Sequence, residues 1–134
     1  MSAGYARYEF CCLSKYERVI VVSDIHGMLG VFRAALDGLG FSEKDALVIV
    51  GDILEKGGEC LETLRFVRKL YSRGNVYMVL GNNDTPFADW RNGVFSDGDI
   101  CRYMNGAAHG STLLDMAAEL KMPFGTAAEV AALR

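Results

Sequence analysis

The sequence predicts an α/β fold, built on a parallel β-sheet with helical crossovers. Three short runs are rich in valine and isoleucine and lack polar alternation, as strands buried on both faces do; they span residues 17–23, 46–50 and 75–80. A stretch with helical periodicity separates each run from the next, so the elements alternate strand, helix, strand, helix, strand. That alternation is typical of parallel strands joined by right-handed crossovers.

The two stretches between the strands have apolar residues at spacings of three or four, which predicts amphipathic helices. In the first stretch the apolar positions are Leu29, Phe32, Leu36 and Leu39. In the second they are Cys60, Leu64, Val67 and Tyr71. Gly40 and Gly74 follow these stretches and are expected to end the helices, because glycine readily adopts the left-handed conformation at a helix C-terminus.

Residues 85–134 are expected to form a mostly helical extension. Residues 85–110 show no clear period, which predicts a loop with short helical pieces, and Asp97-Gly98-Asp99 within it is typical of a turn. A helix is predicted from Ser111 to Leu120. The spacing Thr126-x-x-Glu129 predicts a capping box at the start of a last helix.

Composition argues against several classes of protein. About half of the 134 residues are apolar and the net charge is −3, whereas a general nucleic-acid-binding protein usually has a basic face. No run approaches the ~20 apolar residues of a membrane helix, and residues 1–16 lack the uninterrupted apolar segment of a secretion signal. The four cysteines form no C-x-x-C pair, so we expect no disulfide framework and a cytoplasmic location.

Each predicted strand ends in a loop that carries possible metal ligands. Asp24 and His26 follow the first strand, Asp52 follows the second, and Asn82 follows the third. Because the carboxyl ends of parallel strands lie at one edge of a sheet, these four side chains are expected to converge. Carboxylates with a single imidazole suit manganese, iron or zinc better than calcium. Each motif alone is common in turns and helix caps, but the three in this order are more specific.

Two divalent cations about 4 Å apart clamp a phosphoryl group and lower the pKa of a bridging water. The pattern therefore predicts a metal-dependent phosphoesterase in which metal-bound hydroxide attacks the phosphate ester directly. Such chemistry needs no serine or cysteine nucleophile. A dinucleotide-binding Rossmann domain is disfavoured, because no Gly-x-Gly-x-x-Gly motif follows the first strand.

The three loops together resemble the motifs of the calcineurin-like metallophosphoesterases, which are Gly-Asp-x-His-Gly, Gly-Asp-x-x-Asp-Arg-Gly and Gly-Asn-His-Glu/Asp. The corresponding blocks of this chain are Ser23-Asp24-Ile25-His26-Gly27, Gly51-Asp52-Ile53-Leu54-Glu55-Lys56-Gly57 and Gly81-Asn82-Asn83-Asp84. Their order and spacing are also those of the family. The longer middle block looks most like the branch of serine/threonine phosphatases and dinucleoside tetraphosphatases.

The resemblance implies that residues 17–84 are the parallel βαβαβ half of a metallophosphoesterase sandwich, within a partial domain of residues 1–134. It also implies two divalent metal ions, expected to be Mn²⁺ with iron or zinc as alternatives. The implied metal ligands are Asp24, His26, Asp52 and Asn82, with Asp52 bridging the ions. The implied substrate is a phosphorylated small molecule, a nucleotide or a phosphoprotein.

Three departures from the family pattern bear on catalysis and substrate binding. Asn83 stands where the family often has a histidine that protonates the leaving group, and an amide cannot act as that acid. Glu55 corresponds to the carboxylate partner of that histidine. Lys56 replaces a phosphate-binding arginine, so it is a candidate substrate contact, with a solvated loop lysine as the alternative. Asn83 and Asp84 remain the weaker candidates for catalytic residues.

The family completes its metal sites with histidines from later strands. After Asn82 this chain offers only His109, whose position before a helix is more typical of a capping or surface residue. We therefore expect the chain to be the amino-terminal fragment of a longer enzyme, or alternatively a non-catalytic, truncated scaffold of the same family. A three-stranded sheet without later partners would expose apolar surface, which predicts self-association.

Overall fold

The computed structural model describes residues 9–104, 110–124 and 126–134. Three strands form one parallel sheet in the order β1-β2-β3. They are β1 (Arg18–Val22), β2 (Asp45–Val50) and β3 (Val76–Val79). The parallel strands and their positions are confirmed, since each predicted run ends within two residues of its strand.

Helices connect and follow the strands. Those between the strands are α1 (Leu29–Gly38) and α2 (Cys60–Tyr71). The carboxyl-terminal ones are α3 (Thr85–Arg91), α4 (Asp97–Met104), α5 (Ser111–Glu119) and α6 (Ala127–Leu133), and a short 3₁₀ helix, Leu13–Lys15, precedes β1. Thr126 and Glu129 form the predicted capping box of α6. Among the described residues, no helix is long and apolar enough to cross a membrane.

The two faces of the sheet differ in burial. On one face Leu47 and Ile49 of β2 are fully buried, in one hydrophobic cluster with residues of the helices, including Phe32 of α1 and Val67 of α2. The other face carries a patch of valines, in which Val21 pairs with Val48 and Val50 pairs with Val79 on the neighbouring strand. We call this patch the open face; it consists of Val19, Val21, Val48, Val50 and Val79. Four of these valines are exposed, and Val48 is partly buried.

Two helical predictions need correction. The buried positions of α2 are Cys60, Thr63, Val67 and Leu70, whereas the predicted Leu64 and Tyr71 are exposed. The prediction counted apolar residues only, but the helix packs on the face centred between Thr63 and Leu70, so a threonine takes a core position.

The second correction concerns Asp97-Gly98-Asp99. The predicted short helical pieces are present in the described part of residues 85–110, as α3 of seven residues and α4 of eight. Asp97-Gly98-Asp99 is the first turn of α4 and not an isolated turn. Ser96 accounts for this start, because its backbone and hydroxyl groups both hydrogen-bond the Asp99 carboxylate at 2.9 and 2.7 Å, an arrangement typical of a helix N-terminus.

An ion pair between half-exposed Arg18 and buried Asp45 holds β1 to β2 at the end of the sheet remote from the loops. Asp45 is almost fully buried and accepts two hydrogen bonds from the Arg18 guanidinium, at 2.8 and 2.9 Å. These hydrogen bonds lower the pKa of the Asp45 carboxyl to about 2. This bidentate contact fixes the register between the two strands, so that both strands end at the same edge of the sheet.

Candidate metal centre

The loops after β1 and β2 are joined by backbone hydrogen bonds. His26 N–H donates to the Asp52 carbonyl at 2.9 Å, and Gly27 N–H donates to the Ile53 carbonyl at 2.9 Å. These bonds extend the pairing of the two strands beyond the sheet. They place the side chains of the first two loops in a common space at the carboxyl edge, as predicted.

Asp24, His26 and Asp52 converge there. One ligand atom from each lies within 4.8 Å of the other two, a spacing that a single cation could bridge. His26 Nε2 is 3.4 Å from Asp24 Oδ1 and 3.9 Å from Asp52 Oδ2. Asp24 is exposed, while His26 and Asp52 are partly buried, so the cluster opens to solvent on one side.

The His26 ring is oriented by the second loop. Its Nδ1 lies 3.1 Å from the Leu54 carbonyl, a group that can only accept a hydrogen bond. Nδ1 must therefore carry the proton, which leaves the Nε2 lone pair facing the two carboxylates. This arrangement, with one nitrogen donating to a carbonyl, is the one that metal-binding histidines adopt.

All three residues of the cluster have left-handed backbone conformations, with φ of 56° at Asp24, 46° at His26 and 54° at Asp52. In non-glycine residues such conformations cost about 1–3 kcal/mol each and concentrate at functional sites. The surrounding backbone bonds hold this strain in place. Its coincidence with the predicted ligands supports a functional role for the cluster.

Glycines allow the second and third loops to approach each other. A Cβ on Gly51 would lie 2.5 Å from the Gly81 Cα, and a Cβ on Gly81 would overlap the Asp52 carboxylate. The close approach puts Asn82 beside Asp52, since the next residue, Asn83, donates its backbone N–H to Asp52 Oδ1 at 3.0 Å. The Asn82 side chain is exposed at this edge.

The Asp84 carboxylate joins the same two loops through hydrogen bonds from their backbone. Its carboxylate is buried and accepts three backbone N–H bonds: from Ile53 at 2.9 Å, from Leu54 at 3.0 Å and from Gly81 at 3.0 Å. Two of these donors follow Asp52 and the third precedes Asn82. The position of one predicted ligand relative to the other therefore depends on this carboxylate.

Asn83 lies beside the cluster but faces inward. It is buried, and its Oδ1 has no hydrogen-bond partner among the described residues. Its amide can donate a hydrogen bond but cannot release a proton near neutral pH. Asn83 and Glu55 form no dyad of acid and carboxylate, because the Glu55 oxygens accept backbone N–H bonds from Gly110 and Thr112.

Lys56 places a positive charge beside the cluster of Asp24, His26 and Asp52. Its exposed side chain extends over the site, with Nζ 3.4 Å from His26 Nε2. A hydrogen bond from the Ser23 hydroxyl, at 2.6 Å, is the main cause of the lowered pKa of Asp24, and the positive charge of Lys56 also lowers it. Asp24 thus stays ionised and available as a ligand.

No pattern in the sequence singles out Tyr103, which α4 brings close to the loops. Burial raises the pKa of its phenol, and the negative charges of Glu55, Asp52 and Asp84 raise it further. Trp90, by contrast, is buried in the hydrophobic core and its indole N–H donates to Asp97 at 2.8 Å. His109 lies outside the described residues, so its predicted role stays a prediction.

Comparison with known proteins shows the family of the chain. The family model for calcineurin-like phosphoesterases matches residues 17–124. The chain therefore belongs to the calcineurin-like phosphoesterase family.

Several relatives within the family are named bis(5'-nucleosyl)-tetraphosphatases. Over 97 residues the chain is 36% identical to a symmetrical bis(5'-nucleosyl)-tetraphosphatase of Pseudomonas fluorescens, covering 70% of this chain and 34% of the relative. Over 65 residues it is 45% identical to the enzyme of that name from Pectobacterium atrosepticum, covering 48% and 22%. An asymmetrical bis(5'-nucleosyl)-tetraphosphatase, PrpE of Bacillus velezensis, is 36% identical over 72 residues, covering 47% and 29%.

The chain thus spans about a quarter to a third of the length of these curated relatives. Among solved structures, that of a proposed diadenosine tetraphosphatase matches with a TM-score of 0.45 and 24% identity, covering 84% of this chain and 41% of that one.

Proposed function

We propose that this chain carries the metal centre of a phosphohydrolase that cleaves dinucleoside tetraphosphates and that it catalyses this cleavage itself. The observation that supports this most is the convergence of Asp24, His26 and Asp52, with ligand atoms within 4.8 Å of one another, in a family of phosphoesterases. The relatives named as tetraphosphatases, both symmetrical and asymmetrical, suggest the substrate class.

The donor set fits divalent cations. Two carboxylates and an imidazole whose Nε2 carries no proton suit Mn²⁺, Fe²⁺ or Zn²⁺, and Asp52 and Asn82 would contribute to a second site. Cations held there would neutralise phosphoryl charge and supply a water of lowered pKa. The Leu54 carbonyl would keep His26 Nε2 directed at the site, and Asp84 would hold Asp52 and Asn82 at a fixed separation.

Lys56 would contact the substrate. Its ammonium lies at the open side of the cluster, where the phosphate chain of a nucleotide would enter, and a lysine binds phosphate as a point charge. Asn83 would contribute at most a hydrogen bond, so proton transfer to the leaving group would have to come from solvent or from another residue. The leaving group of a phosphoanhydride is a phosphate, which departs without strong acid assistance.

The proposal is tested by hydrolysis of diadenosine tetraphosphate and p-nitrophenyl phosphate with and without Mn²⁺. We expect Mn²⁺-dependent turnover that falls about 100-fold or more in Asp52→Asn, since even indirect partners of metal ligands commonly contribute 10–100-fold. Asp37→Asn, which changes an exposed carboxylate on α1, is the control and should retain full activity.

The products distinguish symmetrical cleavage, which gives two ADP, from asymmetrical cleavage, which gives ATP and AMP. The absence of metal-dependent hydrolysis of either substrate, in a folded chain that binds Mn²⁺, would contradict the proposal. It would favour instead a non-catalytic scaffold, which the replacement of the expected histidine by Asn83 would then explain.

A further inference from the structure

Glu55 is a fully buried carboxylate to which the proposed function assigns no part. It lies three residues after Asp52 and directly before Lys56, and it is 0% exposed. A buried carboxylate is stable only where hydrogen bonds replace its lost hydration. In this fold those bonds come from a distant element, helix α5.

Gly110 precedes helix α5 at its N-cap position and has no side chain to cap the first turn. Glu55 supplies the missing acceptors: Oε1 accepts from Thr112 N–H at 3.0 Å, and Oε2 accepts from Gly110 N–H. In return, the Thr112 hydroxyl accepts from the Glu55 backbone N–H at 3.4 Å. A negative charge at this end of a helix is also favoured by the helix dipole.

The same helix holds the far end of the loop. Asp115, one turn along α5, accepts the Cys60 N–H at 2.8 Å and so caps α2. The loop from Glu55 to Cys60 is therefore held by α5 at both ends. Lys56 lies between these two contacts.

The backbone of the loop requires such support. Glu55 and Lys56 are consecutive non-glycine residues in the left-handed region, with φ of 69° and 72°. This conformation directs the Lys56 side chain across the cluster to within 3.4 Å of His26 Nε2. Without the bonds to α5, the two residues would relax to a more common conformation and Lys56 would lose its direction.

We propose that Glu55 is a positioning residue, through which helix α5 holds Lys56 over the metal centre for contact with the phosphate chain of a nucleotide. The proposal rests on the proposed function for the identity of the ligand. It assigns a role in substrate binding to α5, which lies outside the motif-bearing core of residues 17–84.

A double-mutant cycle tests this coupling, with a methylene-bridged, non-hydrolysable diadenosine tetraphosphate as the probe and titration calorimetry in Mn²⁺ as the readout. We expect Lys56→Ala to weaken binding about ten-fold, as for loss of one charge-assisted hydrogen bond. Glu55→Gln should weaken binding about five- to ten-fold in the wild-type background and less than two-fold in the Lys56→Ala background. Glu119→Gln, which removes an exposed contact of α5 with Arg65, is the control and should not change the Kd.

Equal effects of Glu55→Gln in both backgrounds would overturn the proposal, because a general loss of structure does not depend on Lys56. If Glu55→Gln does not fold, Thr112→Val takes its place in the cycle. A wild-type chain that binds the probe but does not hydrolyse diadenosine tetraphosphate would refute the proposed function and leave the cycle interpretable.

A second readout needs no ligand. Nuclear Overhauser contacts between the Lys56 side chain and the His26 ring should be present in the wild-type chain and lost in Glu55→Gln or Thr112→Val. Their absence in the wild-type chain, or their persistence in both variants, would overturn the proposal whatever the outcome of the binding experiments.

Discussion

At the scale of single residues, the geometry of the candidate metal centre depends on backbone hydrogen bonds as much as on the predicted ligands. Asp84 and Glu55 are buried carboxylates whose partners are all backbone amides, and they fix the loops that carry Asp52 and Lys56. The sequence predicted that Asp24, His26 and Asp52 converge, because residue type and place after a strand indicate it, and the structure brings them together. The sequence could not identify the two buried anchors, because which amides face a carboxylate depends on how separate loops fold together.

Asp84→Asn tests the anchoring role. An amide nitrogen in place of one oxygen would face a backbone N–H, so Asp52 and Asn82 would move apart. We expect Mn²⁺ affinity to fall about 10–100-fold in titration calorimetry, the usual effect of removing a partner of metal ligands. Unchanged Mn²⁺ affinity, with kcat reduced at saturating metal and the basic limb of the pH profile lost, would instead make Asp84 a proton donor.

Gly81→Ala tests the close approach of the loops. The added methyl group would overlap the Asp52 carboxylate and displace this predicted metal ligand. We expect Mn²⁺ binding and hydrolysis to be lost while the chain stays folded. Gly30→Ala is the matched control: it lies in α1 with no atom within 4 Å of the new methyl group, and it should stabilise the chain by about 0.5–1 kcal/mol. Normal Mn²⁺ binding by Gly81→Ala would contradict the geometry.

At the scale of elements, strands were easier to predict than helix faces. The three apolar runs are short and rich in β-branched residues, as parallel strands are, so their bounds were predicted to within two residues. The expected burial on both faces was wrong, because only β2 is mostly buried. The face of α2 was partly mispredicted, because Thr63 and Leu70 lie in the core where Leu64 and Tyr71 do not. Burial of a threonine depends on its neighbours in the fold, which periodicity alone does not contain.

The ion pair between β1 and β2 predicts a specific dependence of stability on pH. The pKa of Asp45 is about 2 in the folded chain, below the ordinary 3.8. A lowered folded-state pKa stabilises the fold above the unfolded pKa, and that contribution is lost as the pH falls from about 4 toward 2. The difference in unfolding free energy between the wild-type chain and Asp45→Asn should therefore shrink over this interval in denaturant titrations.

Glu17→Gln is the control for this measurement. Glu17 pairs with Lys44 at 3.5 Å, but both side chains are 68% exposed, and exposed pairs contribute little to stability. Its difference from the wild-type chain should be small at every pH. A difference for Asp45→Asn that stays constant between pH 4 and 2 would contradict the assigned role of the Arg18–Asp45 pair.

At the scale of the whole molecule, the sheet is covered on one side only among the described residues. The open face presents aligned valines, with Val21 63% and Val79 56% exposed. Contiguous apolar surface of this kind marks an interface or favours association. The parallel order of strands could be predicted from the sequence, whereas which face the helices cover required the structure.

Self-association through the open face is expected to be concentration-dependent. Val21→Lys should weaken it, because a charge on the patch would have to be desolvated when two copies meet. Val31→Lys is the matched control, since Val31 is 62% exposed but lies on helix α1. Sedimentation velocity over a range of concentrations measures both variants. A wild-type chain that stays monomeric throughout, or equal effects of the two substitutions, would contradict this role of the open face.

The most direct test of the whole account is anomalous diffraction from crystals soaked in Mn²⁺. We expect a peak bounded by Asp24, His26 and Asp52, within coordinating distance of His26 Nε2, and a second peak shared by Asp52 and Asn82. Crystals of Asp52→Asn should lose both peaks or retain one weak peak. A wild-type map with no anomalous density between these side chains would contradict the assignment of a metal centre, and with it the proposed hydrolysis.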